Sequence, residues 1–317
     1  MNRRFALLQA LVSLVALAAV VWWASKQEAP HIPTGGHALA WILASVGLYV
    51  LATLVRAERW HRILEHTGVD AKRVDCYGLT TVGYMGNNVL PARAGDAIRV
   101  VLMAPRAKTS NRTVVGTLVA ERLLDIAVLL VLFVVVGYGL LGEVGGNSVE
   151  LIALVAIVGI SAAAVGWRLI RKNEKLHGML APIASATIGL RKAHHGLRLV
   201  AMTLVIWAIE AGVWMAVGAA VGFGMTPIEG LYLVALASVF SMIPSGPGYA
   251  GTQDAAVAIG IKAIGGTGGV KVGYLLMLRF VIVVPITLLG LILMITRYGG
   301  LKKLRSVRAE AKAEPPR

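Results

Sequence analysis

The chain carries a single cysteine, Cys76, in 317 residues. That excludes a disulfide framework and a thiolate metal site. Its seven histidines fall into no HExxH or other ligand spacing. No serine–histidine–acid pattern and no paired-carboxylate hydrolase pattern is visible, and the loops are too short to hold a soluble catalytic domain. The sequence therefore points to no enzyme activity, no catalytic residue, no metal and no cofactor. Two glycine-rich strings mimic nucleotide motifs. GPGYAG at 246–251 matches GxGxxG but lacks the preceding strand, the βαβ context and the downstream acid that the dinucleotide fingerprint needs. GGTGG at 265–269 runs into Val270-Lys271-Val272, which is no phosphate loop.

Acids are scarce as well. Sixteen Asp and Glu stand against 31 Lys and Arg, a formal net charge of +15. In a soluble chain that excess would suggest nucleic acid. Here no basic stripe interleaves with aromatics. The bases collect in short loops and the C-terminal tail, as the positive-inside rule describes for membrane proteins.

What is plentiful is apolar. Hydrophobic residues make up 57% of the chain and mean hydropathy is +0.74. They come in runs of roughly 17 to 25 residues, the length that crosses a bilayer as helix. A soluble fold would need helices hydrophobic on every face packed into one core. The expected fold class is an all-α polytopic membrane protein, with about six transmembrane helices and two re-entrant or broken-helix hairpins.

The spans are expected at about 5–24, 38–55, 114–141, 149–167, 199–221 and 272–296. The first follows Arg3 and Arg4. It is too long for a signal-peptide core and lacks a small-x-small cleavage site, so it reads as an uncleaved span. After the second span, RAERWHRIL at 56–64 reads as an interfacial amphipathic helix with Trp60 at the headgroup level.

Two apolar stretches are interrupted by residues that a continuous membrane helix would not choose. Residues 86–99 read GNNVLPARAGDAIR, inside a hairpin at 76–105, and residues 243–251 read IPSGPGYAG, inside one at 231–263. Something other than lipid must surround them, because unpaired backbone and charge are costly there. The basic segments after the second and fourth spans, the stretch 106–112 and both termini belong on the cytoplasmic side. These assignments agree only if the first hairpin enters from the cytoplasmic side and the second from the opposite side. The expectation is an inverted repeat, about 1–142 and 149–296, with a basic cytoplasmic tail at 297–317.

In each hairpin a polar turn precedes a half-helix, whose N-terminus suits an anion. Arg93 and Arg99 add full charge beside the first such terminus, and Asp96 lies three residues from each. Two readings stand: an anion site, or an Arg–Asp pair that holds the hairpin shut. Glu121, Arg122 and Asp125 share the first turns of the third span and read either as an interfacial ion cluster or as a proton relay. Arg279 sits deep in the last span, in LMLRFVIVV, where an arginine usually lines a polar cavity; Asp254 is its expected partner. Asn87 and Asn88 serve either the broken backbone or a ligand. Pro91, Pro244, Pro247 and Pro285 read as helix breakers.

Taken in order, NNVLPARAGDAIR, ERLLD, IPSGPGYAGTQD and an Arg in the last span resemble the transmembrane flippase-like domain of the lysylphosphatidylglycerol synthases, over roughly 41–296. The resemblance implies a domain associated with moving a modified phospholipid across the bilayer, with relatives linked to hopanoid and polyprenol-glycan pathways. Carried over, the motif positions are Asn87, Pro91, Arg93, Gly95, Asp96, Arg99, Glu121, Arg122, Asp125, Pro244, Pro247, Gly248, Gly251, Asp254 and Arg279. Asp96 and Asp254 stand where many members carry Glu. The soluble aminoacyl-transfer domain is absent from this sequence, so the chain alone is not expected to make lysyl-lipid.

The expected function is that of a lipid or lipid-linked-substrate transporter in the inner (plasma) membrane, binding an anionic headgroup between the hairpins. The alternatives are a membrane-embedded transferase acting on a lipid carrier and a non-catalytic partner of envelope-lipid biosynthetic enzymes.

Overall fold

The computed structural model describes residues 35–90, 93–141, 193–241, 247–266 and 268–300. The expected spans at 5–24 and 149–167, the prolines Pro91 and Pro244, and nearly all of the tail lie outside the described residues. Within them the chain is helical, with no strand. Eight α-helices follow in order: α1 Gly36–His66, α2 Arg73–Val89, α3 Ala94–Arg106, α4 Asn111–Leu141, α5 Ala193–Ala220, α6 Pro227–Phe240, α7 Thr252–Ala263 and α8 Gly268–Thr296. A short 3-10 turn, Pro247–Tyr249, precedes α7.

Three of these helices, α1, α5 and α8, are long and apolar enough to cross a membrane. They carry their large hydrophobics outward. Leu43 of α1, Leu197 of α5 and Ile295 of α8 are each more than 60% exposed, which is unfavourable in water and natural against lipid. Over residues 38–59 the inner face of α1 is small or polar. In α1 every seventh residue of the run Ala38, Ser45, Ala52, Arg59 is buried, a seam that lets α5 pack along the helix.

The order long helix, two short helices, long helix occurs twice, as α1–α4 and α5–α8. The packing partners correspond. Helix α2 lies on α8 as α6 lies on α4, α2 on α3 as α6 on α7, and α3 on α4 as α7 on α8, while α1 and α5 pack on each other.

The first hairpin closes tightly. Leu90, just before Pro91, leaves helix α2 with extended backbone at φ −106° and ψ 146°, as a residue preceding proline must. Beyond the turn, Gly95 of α3 lies against α2. A Cβ on Gly95 would strike the carbonyl of Gly83 and come within 2.6 Å of the Asn87 backbone nitrogen. Only hydrogen allows this approach of backbone to backbone.

Helix α6 starts on a capping box. The Thr226 hydroxyl accepts from Glu229 N–H at 3.3 Å, and Glu229 accepts from Thr226 N–H at 2.7 Å. Helix α7 starts at Gly251, whose φ of 91° excludes most side chains.

Two expectations are corrected. RAERWHRIL is not an interfacial helix: α1 continues through it to His66, and Arg59 and Trp60 are fully buried. The Arg59 Nη1 and Nη2 groups and the Trp60 indole nitrogen find partners in other helices, so the segment has no need of the headgroup layer. Pro285 breaks nothing. It lies inside α8, which runs unbroken from Gly268 to Thr296, because neighbouring structure in a bundle can compensate the one lost backbone bond.

Candidate functional site

The tips of the two hairpins meet. Arg93, the residue that caps α3, adopts the left-handed region at φ 52° and ψ 38°, an uncommon state for a residue with a Cβ. From there its Nη2 donates to the Ser241 carbonyl at 2.8 Å, and its guanidinium lies 5.2 Å from the centre of the Tyr249 ring. Both of those partners belong to the second hairpin. Among the described residues no carboxylate lies within ion-pair distance of Arg93.

Behind this contact is a cavity of about 230 Å³. Asn87, Asn88 and Arg93 line it from the first hairpin, and Ser238, Ser241, Gly248, Tyr249 and Gln253 from the second. The long helices close its walls with Tyr49 and Arg56 of α1, Arg122 and Asp125 of α4, Trp207, Glu210 and Trp214 of α5, and Ile282 and Val283 of α8. Three guanidiniums and two carboxylates face this space, so its lining carries an excess of positive charge.

The wall charges are paired. Arg56 Nη1 donates to Glu210 at 2.5 Å. Asp125 is held by Arg59 at 2.6 and 3.1 Å in a two-point pair, and Arg59 also donates to the Thr203 hydroxyl at 2.7 Å. Arg122 sits among Asp96, Asp125 and Glu121 at 3.6, 3.8 and 3.9 Å. These pairs leave Arg93 as the cation of the lining without a carboxylate partner among the described residues.

Arg99 does not share that role. It is 1% exposed, its guanidinium stacks 4.1 Å from the Trp60 ring centre, and it donates to Glu121 at 3.1 and 3.5 Å. Trp60 in turn donates to the Thr117 hydroxyl at 3.1 Å. Arg99, Glu121 and Trp60 thus form a buried joint between α1, α3 and α4. Asp96 reaches Arg99 and Arg122, each at 3.6 Å. Its tie to Arg93 is through backbone alone, Asp96 N–H to the Arg93 carbonyl at 3.0 Å.

On the second hairpin, Arg279 Nε donates to Asp254 at 2.7 Å, and the same guanidinium donates to the carbonyls of Gly248 and Tyr249. Asp254 also accepts from Gly251 N–H at 2.9 Å. Arg279 thereby ties the tip of the hairpin to α8, and this is the pairing that the sequence pointed to.

The structure therefore gathers Asn87, Arg93, Arg122, Asp125 and Gly248 around one cavity. It places Gly95, Arg99 and Glu121 in the packing behind it, and Asp254 and Arg279 at the base of the second tip. Pro244 is outside the described residues. Sequence reasoning missed Arg56, Arg59, Glu210, Trp207 and Trp214. Glu210 carried a usable signal: it is a lone acid inside an apolar span, the same rule that singled out Arg279.

The model of the lysylphosphatidylglycerol synthase transmembrane region matches residues 7–290. The chain belongs to that family. Among curated proteins it is similar to the glycosyltransferase AglD of Haloferax volcanii, 24% identical over 302 residues, covering 80% of this chain and 48% of AglD. The chain thus spans about half the length of the curated relative it matches. No solved structure matches it. Seen within the lysylphosphatidylglycerol synthase transmembrane family, the cavity lies where the two polar motifs of the sequence converge.

Proposed function

We propose that this chain is a flippase-type transporter of a lipid or lipid-linked substrate, and that it holds an anionic headgroup in the cavity between the hairpin tips. The observation that carries the reading is Arg93. A guanidinium faces the cavity with one backbone carbonyl and one aromatic ring as partners, and with no carboxylate among the described residues. A phosphate supplies the missing charge and accepts from the remaining donors. Arg56 and Arg122 add positive potential from the walls, while acyl or prenyl chains stay in lipid.

The two helix quartets are inverted repeats in this reading. The corresponding packing partners support it, as does the distribution of Lys and Arg. Rocking of one quartet against the other exposes the site to each side in turn. The residence is the inner membrane with both termini cytoplasmic, and the partners are enzymes that make or consume the envelope lipid.

Native mass spectrometry of the purified protein tests the reading. Wild type retains an anionic lipid and Arg93→Gln loses it. Equal retention by both overturns the assignment of the site.

A second reading is a membrane-embedded transferase acting on a lipid carrier. The glycosyltransferase AglD, similar to this chain, favours it. New product from purified protein with candidate sugar donors would select it over transport.

A further inference from the structure

We propose that Arg93 and Tyr249 form a latch that holds the two hairpins together at the cavity, and that an anionic headgroup releases it. The release rests on the headgroup reading above; the latch does not. Among the described residues, three that are not glycine adopt left-handed backbone: Arg93 at φ 52°, Lys108 at φ 48° and Tyr249 at φ 59°. Two of the three meet, the Arg93 guanidinium lying 5.2 Å from the centre of the Tyr249 ring. Each leads into the second helix of its hairpin, Arg93 as the cap of α3 and Tyr249 in the 3-10 turn before α7. A Cβ makes this backbone state costly, whereas glycine takes it freely. The stretch before α7 does use glycine for it elsewhere, at Gly248 with φ 62° and Gly251 with φ 91°. At 93 and 249 the chain keeps a large side chain in spite of the strain. Strain of this kind persists where the surrounding contacts over-determine it, and it clusters at clamps and switches.

The two sides of the latch are held unequally. The Tyr249 carbonyl accepts from Arg279 Nη2 at 3.3 Å, and Arg279 is itself fixed to Asp254. That anchors the second hairpin to α8. The Arg93 side chain has no such anchor on its own hairpin. It crosses to the other one, to the Tyr249 ring and to the carbonyl of Ser241 at 2.8 Å, where Ser241 caps the end of α6. Among the described residues both of its partners therefore lie across the gap, and turning this one side chain away breaks both contacts at once.

These partners are of the kind that an anion displaces. A carbonyl and a ring face offer a guanidinium only partial charge. A phosphate oxygen carries formal charge, accepts a shorter and stronger hydrogen bond, and with a second oxygen engages two donors together. Arg93, Ser241 and Tyr249 all line the cavity, so a headgroup there competes directly with the contacts that join the hairpins. Binding and opening become one event: the headgroup takes Arg93, the hairpins come untied, and Arg93 returns to Ser241 and Tyr249 when the headgroup leaves. The ligand shifts the equilibrium because it binds better to the state in which Arg93 is off its neutral partners. That supplies a trigger for the rocking of one quartet against the other.

The test follows the separation of the hairpins in the full-length protein in nanodiscs. In a Cys76→Ala background, spin labels are attached through Val89→Cys at the end of α2 and Ala255→Cys on α7, both exposed positions, and double electron–electron resonance reads the distance between them. Tyr249→Ala is expected to shift the distribution to longer distances, and Tyr249→Phe, which keeps the ring face, to match the protein with Tyr249. Dioctanoyl phosphatidylglycerol is expected to produce the same shift in the protein that keeps Tyr249, so the test does not depend on how well Tyr249→Ala folds. Dioctanoyl phosphatidylcholine, whose choline cancels its charge, and inorganic phosphate are expected to produce none. A folded Tyr249→Ala protein with unchanged distances overturns the latch. A shift with Tyr249→Ala but none with phosphatidylglycerol that native mass spectrometry shows to be bound overturns release by the headgroup and supports the latch. Phosphatidylglycerol that is not retained at all overturns the headgroup reading, while the Tyr249→Ala comparison still decides the latch. Inorganic phosphate acting as strongly as the lipid supports the anion chemistry and overturns the lipid source.

Discussion

Asp254 and Arg279 are in direct contact at 2.6 Å, whereas Asp96 and Arg122, which occupy the corresponding places in the other quartet, stand 3.6 Å apart. The correspondence is positional. Asp96 and Asp254 are each the third residue of a hairpin's second helix. Arg122 and Arg279 each lie eleven residues beyond the first residue of the long helix that follows. One pair is drawn tight and also anchors the carbonyls of Gly248 and Tyr249. The other is slack, and its arginine opens onto the cavity. The two quartets share a plan and differ in how firmly each hairpin is tied to its long helix.

The tight pair should matter more for stability than the slack one. Arg279→Gln strands Asp254 and two carbonyls in a partly buried place, a loss of about 3 kcal/mol. Arg122→Gln removes only long contacts from a side chain that is 34% exposed, and costs less than about 1 kcal/mol. Unfolding of both variants in detergent, followed by denaturant titration, compares them. Equal losses would contradict the asymmetry.

Arg59 and Asp125 join α1 to α4 through a two-point pair that also engages Thr203 of α5. Arg59→Met leaves the buried Asp125 carboxylate with only the 3.8 Å contact to Arg122 and should destabilise the protein by about 3 kcal/mol. Adding Asp125→Leu removes the stranded charge and should recover most of the loss. Thermal unfolding of the single and double variants checks this; a double variant as unstable as the single one would show that packing, not charge, dominates the joint.

Gly95 sets the distance between α2 and α3. Gly95→Val would push a branched side chain into the Gly83 carbonyl and the Asn87 backbone, separating the hairpin arms at a cost of at least about 3 kcal/mol. The expected readout is loss of a monodisperse peak in size-exclusion chromatography. Gly248→Ser is a milder change in space, since the nearest heavy atoms to an added Cβ there begin at 3.6 Å, but it meets a φ of 62° and should lower the unfolding temperature by a few degrees for about 1 kcal/mol.

Much of this architecture was legible in the residues. The long apolar helices α1, α5 and α8 follow from runs of bilayer length, and the breaks between α2 and α3 and between α6 and α7 from charge, Pro and Gly where a membrane helix would not carry them. The Arg279–Asp254 pair was readable because an arginine deep in an apolar span needs a partner. Arg56 and Arg59 were not readable in the same way. They directly follow an apolar run, where the positive-inside rule explains them without any tertiary contact. Only the continuation of α1 to His66 reveals that Arg59 is inside the protein. Arg99 failed for a related reason: its spacing from Asp96 is visible in one dimension, but the Trp60 face and Glu121 carboxylate that hold it come from other helices. The buried, unpartnered amide of Asn87 and indole nitrogens of Trp207 and Trp214 leave no trace in sequence at all, because being unpartnered is a property of the packed state.

Transport of a labelled anionic phospholipid across proteoliposomes is the most direct test of the central claim that Arg93 holds the headgroup. Wild type should move the lipid. Arg93→Gln should do so at least about tenfold more slowly, a loss of at least about 1.4 kcal/mol in the rate-determining step. Arg73→Gln, at the exposed start of α2 with its side chain 59% accessible, should match wild type. An Arg93→Gln protein that folds and transports at the wild-type rate would contradict the account.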